Sequence, residues 1–114
     1  MAHAIRIHQV GGPEVMKWEA VEVGDPGPGQ IRIKTTAAGL NYIDTYHRSG
    51  LYKMPLPLTL GMEGAGTVTA VGADVTDIKV GDRVAYASAP LGSYSEERLM
   101  QADRCVVLPD GISD

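Results

Sequence analysis

The segment GMEGAGTVTAVG, residues 61–72, carries the clearest strand pattern in the chain. From Thr67 to Val71 the residues alternate with the period of a strand, and a glycine bounds this run on each side. The glycine cluster before it has the composition of a phosphate-binding loop. Such loops follow a strand and open a helix, however, whereas this cluster follows a proline-containing loop and opens a strand. We therefore expect its glycines to allow a close backbone approach or a β-bulge.

Glu63 lies within this cluster, between small residues in an apolar stretch. A carboxylate in such surroundings must be paired or hydrogen-bonded. We predict that Glu63 is a structural anchor.

Short extended runs recur on both sides of this segment. Ile5 and Ile7 alternate with polar neighbours, and residues 30–34 repeat the same period. A turn rich in proline and glycine at residues 24–29 joins two of the runs, as in a meander. The predicted runs comprise residues 5–8, 16–23, 30–34, 67–71, 78–86, 92–100 and 105–108. Six or seven short strands with one small helix predict a mainly β fold, either a partly open barrel or a sandwich.

The pattern changes after Gly39, where the sequence favours a short helix. Asn41 can cap it, Asp44 falls in its first turn, Arg48 falls in its last turn, and Gly50 stands where a helix ends. About two turns of helix are implied. Residues 51–60 contain two prolines, which exclude a helix or a central strand there, so an irregular loop is expected.

Bulk composition excludes several classes of protein. The chain of 114 residues is long enough to bury the core of a single domain, and its 44% hydrophobic and 21% charged residues are typical of globular proteins. A net charge of −4 gives no basic surface for nucleic acid. No apolar run approaches the ~18 residues of a membrane span. A single cysteine rules out an internal disulfide and fits a reducing cytoplasm.

The candidate metal ligands are few and scattered. His3, His8 and His47 are far apart in sequence, and Cys105 is the only thiol. None of these residues has the short spacing of a structural zinc site. Solvated histidines on a polar strand face are expected for the first two, and a small apolar role is expected for the cysteine.

The densest group of polar and aromatic residues is NYIDTYHRSGLY, residues 41–52. Three tyrosines and an asparagine on a short helix and its exit loop could line a pocket that stacks a flat ligand. They could also form an ordinary amphipathic turn whose tyrosines lie at the rim. Composition alone leaves both interpretations open.

Together, the motifs resemble one known family. Residues 41–52, 61–72 and 80–84, in this order and spacing, are similar to the medium-chain dehydrogenase/reductase superfamily. The first of these segments, with residues 11–15 and 92–94, looks specifically like the zinc-independent quinone oxidoreductases related to zeta-crystallin. The resemblance covers nearly the whole chain. It implies the N-terminal GroES-like catalytic domain, a mainly β, partly open barrel with one or two short helices.

The resemblance also implies that no catalytic zinc is bound. Zinc alcohol dehydrogenases have a cysteine ligand at the position of Asn41 and a histidine ligand at the position of Met62. Asparagine cannot supply a thiolate, and methionine is a poor zinc ligand. Glu63 remains as the structural carboxylate of the family motif.

The remaining site residues are consistent with NADPH-dependent reduction of a quinone without metal. By resemblance, Asn41 contacts the nicotinamide end of NADPH, and Tyr46 and Tyr52 are the catalytic residues that line the quinone pocket. Asp44 fixes the helix rather than transferring a proton. The protein would transfer a hydride or electrons by holding nicotinamide and quinone face to face and excluding water.

Family members continue after this domain with a Rossmann domain and then with strands that return to the first domain. The present sequence ends at Asp114 and contains no glycine-rich dinucleotide fingerprint. We therefore expect residues 1–114 to be a GroES-like fragment of a longer two-domain reductase, inactive alone and weak in binding NADPH. Its sheet edges would favour a homodimer, formed by edge pairing or by exchange of the strands near residues 105–109.

Two other functions remain open. One is an NADPH-dependent reductase of activated carbon–carbon double bonds, in which Tyr46 or Tyr52 donates a proton to the carbon next to the carbonyl. The other, of a different class, is a stand-alone GroES-like binding or structural module.

Overall fold

The computed structural model describes residues 2–114, which form eight strands, one α-helix and two 3₁₀ turns. The strands are β1 (Ala2–Ile7), β2 (Lys17–Val21), β3 (Gln30–Gly39), β4 (Leu58–Thr59), β5 (Glu63–Val71), β6 (Arg83–Ala87), β7 (Glu97–Gln101) and β8 (Val106–Val107). The helix is α1 (Tyr42–Ser49), and the 3₁₀ turns are Pro13–Val15 and Ala102–Arg104. The predicted mainly β fold is confirmed. The structure has one strand more than the seven predicted runs. This strand is β4, which forms inside the segment predicted to be an irregular loop.

The strands form two antiparallel sheets. The smaller has the order β2-β1-β4 and the larger has the order β7-β3-β5-β6-β8. An isolated bridge between Ala4 and Ser95 connects β1 of the smaller sheet to the segment that leads into β7 of the larger sheet. Within residues 2–114 they do not close into a barrel, so the predicted partly open architecture is correct.

Two apolar clusters form the core. The larger lies on the inner face of the five-stranded sheet, and the smaller joins β1, the first 3₁₀ turn and the residue that follows β4. The buried members of the larger cluster are Ile31, Ile33, Val68, Ile78, Val84, Tyr86 and Met100. The smaller contains Ile7, Val15 and Leu60.

The burial pattern of β1 differs from the sequence prediction. Ala4 and Ile7 are buried, whereas Ile5 is only half-buried. Both faces of β1 meet other parts of the molecule, because Ala4 pairs with Ser95 and Ile7 packs in the smaller cluster. A simple alternation of buried and exposed residues is therefore lost.

The glycines of β5 act as the sequence predicted. The register of β3 against β5 shifts between Thr35 and Ala37, which marks a bulge or irregularity in this pair of strands. A Cβ atom on Gly66 would overlap the carbonyl oxygen of Lys34 in β3. A Cβ atom on Gly64 would lie 3.1 Å from the carbonyl oxygen of Ala37. These two glycines let the backbones of β3 and β5 approach each other.

The helix α1 follows β3 directly and is eight residues long. In the part of the chain from residue 2 to residue 114, no helix combines the length and apolar character that a membrane span requires. Residues 2–114 also contain no parallel strands joined by a crossover helix of the kind that binds dinucleotides.

Candidate active site

The N-terminal end of α1 is fixed by its own backbone and by one carboxylate. Asn41 has an extended conformation, and its backbone N–H donates to Oδ2 of Asp44 over 3.1 Å. The N–H of Asp44 donates in turn to the carbonyl of Asn41 over 3.0 Å. At the other end, Gly50 takes a left-handed conformation with φ +88° and closes the helix on the carbonyl of Tyr46. The predicted start and end of this helix are confirmed.

Asp44 connects α1 to the loop between β6 and β7. Its side chain is only 3% exposed, and Oδ2 also accepts a hydrogen bond from the hydroxyl of Tyr94. Burial, followed by the hydrogen bond to this carboxylate, raises the pKa of Tyr94 well above its usual range. The hydroxyl therefore stays protonated and remains a donor. The expectation that Asp44 fixes the helix agrees with this geometry.

Tyr94 as the partner of Asp44 was not predicted from the sequence. Fifty positions separate the two residues, and no local pattern pairs them. The one available signal was the requirement that each tyrosine hydroxyl find water or a hydrogen-bond partner.

The structure brings the two predicted catalytic tyrosines together. The rings of Tyr46 and Tyr52 meet edge to face with their centroids 5.4 Å apart, and Tyr42 approaches Tyr46 in the same way at 5.5 Å. The backbone N–H of Tyr52 donates to the carbonyl of Tyr46 over 3.3 Å. The ring of His47 also lies near Tyr52, with the ring centroids 6.1 Å apart. We call the three tyrosines, Tyr42, Tyr46 and Tyr52, the tyrosine patch.

The tyrosine patch lies at the surface. Tyr42 is 78% exposed and Tyr52 is 51% exposed, while Tyr46 is half-buried. Of the two interpretations left open by composition, residues 2–114 therefore show the open, rim-like arrangement. A flat ligand could stack on it, but another surface would have to cover that ligand to exclude water.

Asn41 lies at the other end of α1 from Tyr52. Its side-chain nitrogen Nδ2 is buried and has no hydrogen-bond partner within residues 2–114. An unpaired buried donor is costly unless a partner arrives from elsewhere. Asn41 can therefore offer a hydrogen bond to a ligand that reaches the start of α1.

The candidate metal ligands lie in separate places. His3 contacts Glu96 and His8 contacts Glu19, both near the surface, whereas His47 is buried in α1. Among residues 2–114, no three side chains of His, Cys, Asp or Glu come close enough together to hold a metal ion.

The prediction for Glu63 is wrong within the described chain. Its side chain lies over Gly39 in a groove floored by small residues of β3, β5 and β6. It is half-buried, and no donor from residues 2–114 forms a hydrogen bond with it. Alanine and glycine supply most of the lining of this groove, so no side chain there donates to the carboxylate.

Cys105 has the apolar role that was predicted for it. It packs against the larger core cluster, and burial raises the pKa of its thiol to about 11. Because the thiolate is the nucleophilic form, this cysteine is unreactive near neutral pH.

Comparisons with known proteins agree with this geometry. A family model described as "Alcohol dehydrogenase GroES-like domain" matches residues 27–110. The chain is 54% identical over 113 residues to a quinone oxidoreductase of Pseudomonas aeruginosa, covering 98% of this chain and 35% of the relative. It is 47% identical over 114 residues to a 2-haloacrylate reductase of a Burkholderia species, covering 96% of this chain and 34% of the relative.

A solved structure gives the same result. The quinone oxidoreductase of Escherichia coli, crystallised with NADPH, superimposes with a TM-score of 0.94 at 46% identity, covering 97% of this chain and 34% of that chain. The chain thus spans about a third of the length of the curated relatives that it matches.

Proposed function

The chain belongs to the alcohol dehydrogenase GroES-like domain family, and from this premise we propose that residues 1–114 are the substrate-binding domain of an NADPH-dependent quinone reductase. The likeness to quinone oxidoreductases over nearly the whole chain supports the proposal most strongly. Because those relatives are about three times as long, we propose that the activity belongs to a longer protein that contains this chain. A cytoplasmic location is part of the same proposal.

The tyrosine patch fits a quinone. Its rings offer flat faces for stacking, and the hydroxyls of Tyr46 and Tyr52 are donors for the two quinone oxygens. A quinone accepts a hydride readily, so the protein mainly has to hold the substrate, align it and exclude water. The open side of the patch leaves room for a second surface that completes the site.

The residues at the start of α1 fit NADPH. When bound, NADPH supplies the hydride or electrons. Asn41 would meet its nicotinamide end, because Nδ2 of Asn41 is a buried donor without a partner. Asp44 accepts a hydrogen bond from the backbone N–H of Asn41 and so fixes the backbone from which this side chain extends. The pyrophosphate would be bound elsewhere, since residues 2–114 contain no crossover helix whose N-terminus could hold it.

The same positions do not fit a catalytic zinc. An asparagine and a methionine, Asn41 and Met62, occupy the places where the zinc-dependent branch of the family has its ligands. Neither supplies an anionic or imidazole ligand, which zinc prefers. We propose that reduction proceeds without a metal.

The metal proposal gives a direct prediction. Purified and dialysed protein should contain well below one zinc per chain by elemental analysis. A double substitution, Asn41→Cys with Met62→His, restores two ligand types and should raise the zinc content of the dialysed protein. About one tightly bound zinc in the unaltered protein would contradict the proposal.

The proposed activity is tested on the full-length protein that contains this chain. We expect kcat/KM for NADPH oxidation to be at least about tenfold higher with p-benzoquinone than with 2-chloroacrylate. Reduction of 2-chloroacrylate requires a proton donor to carbon, whereas reduction of a quinone places the charge on oxygen. Absorbance of NADPH measures both reactions, and NADH serves as the control cofactor.

A second candidate function is supported by the likeness to a 2-haloacrylate reductase. In that case Tyr46 or Tyr52 protonates the carbon next to the carbonyl, and kcat/KM should be higher with 2-chloroacrylate than with p-benzoquinone. A protein with neither activity would favour the third candidate, a GroES-like binding or structural module.

We also propose that the isolated chain dimerises through a sheet edge. β8 ends the five-stranded sheet, and its residues Val106 and Val107 are 66% and 43% exposed. Unpaired edges pair with other chains, and a net charge of −4 gives little repulsion. Pairing at β8, or exchange of residues 105–109, should give a dimer in sedimentation equilibrium. A monomer at high concentration would contradict it.

A further inference from the structure

Hydrogen bonds join both ends of α1 to loops outside the helix, namely the β1–β2 connection and the β6–β7 connection. Near its C-terminal end, Arg48 and Gly11 exchange hydrogen bonds, one from Nε of the arginine and one from the N–H of the glycine, at 3.1 and 3.0 Å. Near its N-terminal end, the attachment is the bond from the hydroxyl of Tyr94 to the carboxylate of Asp44. The two bonds between Arg48 and Gly11 hold the C-terminal end of α1, from which the chain leaves toward Tyr52. The bond between Tyr94 and Asp44 holds the N-terminal end, which carries Asn41.

Tyr94 is a firm point of attachment because the three-stranded sheet and the segment that follows β4 hold its backbone from both sides. Its N–H donates to the carbonyl of Leu60 over 2.9 Å, and its carbonyl accepts from the N–H of Ile5 over 2.8 Å. Gly61, with φ +107°, packs against Ser93 so closely that a Cβ atom there would overlap the serine oxygen. The position of the Tyr94 hydroxyl is therefore set by β1 and by the segment after β4, not by α1.

Oδ2 of Asp44 joins this fixed point to the proposed cofactor contact. The same oxygen accepts from the hydroxyl of Tyr94 and from the backbone N–H of Asn41. Asp44 is buried, so water competes little for this oxygen. The chain of contacts runs from the three-stranded sheet through Tyr94 and Asp44 to Asn41, whose side-chain donor is buried and has no partner within residues 2–114.

We propose that Tyr94 is a positioning residue, which acts through Asp44 to set the place of Asn41 against the nicotinamide. This inference rests on the proposed function, because it assumes that Asn41 meets the cofactor there. It assigns Tyr94 no contact with substrate. Without the hydroxyl, Asp44 can still cap α1, but the N-terminal end of the helix loses its hydrogen bond to the segment held by the three-stranded sheet, while the contacts between Arg48 and Gly11 remain.

The test compares Tyr94→Phe with Tyr86→Phe. Tyr86 is a matched control because its hydroxyl is also buried but has no hydrogen-bond partner within residues 2–114. In the full-length protein, we expect Tyr94→Phe to lower kcat about tenfold, the scale of a misplacement below 1 Å. The dissociation constant of NADPH and KM for p-benzoquinone should change less than about twofold, because the lost contact is made with neither ligand.

A kinetic isotope effect separates positioning from general stability. With NADPH deuterated at the transferred position, Tyr94→Phe should raise the isotope effect on kcat, because misaligned hydride transfer becomes rate-limiting. Tyr86→Phe should leave it unchanged. A variant that is merely less stable loses active enzyme but keeps the isotope effect of the remaining molecules. An unchanged isotope effect and kcat in Tyr94→Phe would overturn the proposal.

Hydrogen exchange on the 114-residue chain tests the attachment without any substrate. Amides of α1 should exchange about tenfold faster in Tyr94→Phe, the effect of losing one hydrogen bond to a charged group, while those of β3 and β5 keep their rates. Faster exchange without a change in the isotope effect would overturn the positioning role and leave the proposed function intact. Failure of the proposed function would instead appear as absent quinone reduction in the unaltered protein.

Discussion

Replacing Gly66 with alanine is expected to lower the free energy of unfolding by about 3 kcal/mol, the upper part of the range for overpacking a core. The added Cβ atom would overlap the carbonyl oxygen of Lys34 and lie 2.7 Å from Cγ2 of Ile33. The carbonyl oxygen of Lys34 belongs to the backbone, so it cannot rotate away as the end of a side chain can. β3 and β5 would have to separate at the point where their register changes.

The loss is large compared with the stability of a small domain, which is about 5–15 kcal/mol. Urea unfolding followed by circular dichroism measures it. Gly111→Ala is the matched control, because no atom lies within 4 Å of the position of its Cβ and its φ is not positive. The control should stay within about 0.5 kcal/mol of the unaltered chain. Equal midpoints for the two variants would show that β3 and β5 do not approach as closely as the structure indicates.

This close approach also matters for the candidate site. β3 continues to Gly39 and leads into α1 within three residues, so the path of β3 after Thr35 sets where the helix begins. A bulge bends the strand that contains it. Gly64 and Gly66 thus affect where the helix begins, and the glycine cluster opens the strand β5 rather than the helix that follows a phosphate-binding loop.

Features set by neighbouring residues were predictable. The helix was predicted because Asn41, Asp44 and Gly50 are the signals of its start and end, and all three act within the helix itself. The strand at residues 67–71 and the turn at residues 24–29 were predicted for the same reason. Tyr46 and Tyr52 come together because the helix ends between them.

Features set by distant residues were not predictable. Glu63 lacks its expected partner because the groove beside it is open, which depends on small side chains from three strands. Arg98 is only 7% exposed in β7, although a lone charge in a strand usually faces water. Its guanidinium donates to the carbonyl of Pro90 over 2.9 Å and lies 4.8 Å from the ring centre of Tyr86. The folded path of β6 and of the segment that follows it, residues 86–92, supplies those contacts.

Removing both hydroxyls from the proposed catalytic tyrosines is expected to have the largest effect on turnover. In the full-length protein, Tyr46→Phe with Tyr52→Phe keeps both rings, and with them the edge-to-face contact at 5.4 Å. A hydrogen bond to the oxygen that becomes negative during reduction contributes on the order of 10²-fold to turnover. NADPH affinity should barely change, because neither hydroxyl is proposed to contact the cofactor.

The substrate used should change the size of this effect. An enone or haloacrylate requires a proton on carbon, whereas a quinone places its charge on oxygens that water can protonate later. The loss in kcat should therefore be larger with 2-chloroacrylate than with p-benzoquinone. Tyr42→Phe is the matched control, since Tyr42 belongs to the same patch, is 78% exposed and has no proposed contact with substrate. If the double variant matches this control with both substrates, the hydroxyls of Tyr46 and Tyr52 do no chemistry and the two rings serve only as walls of the pocket.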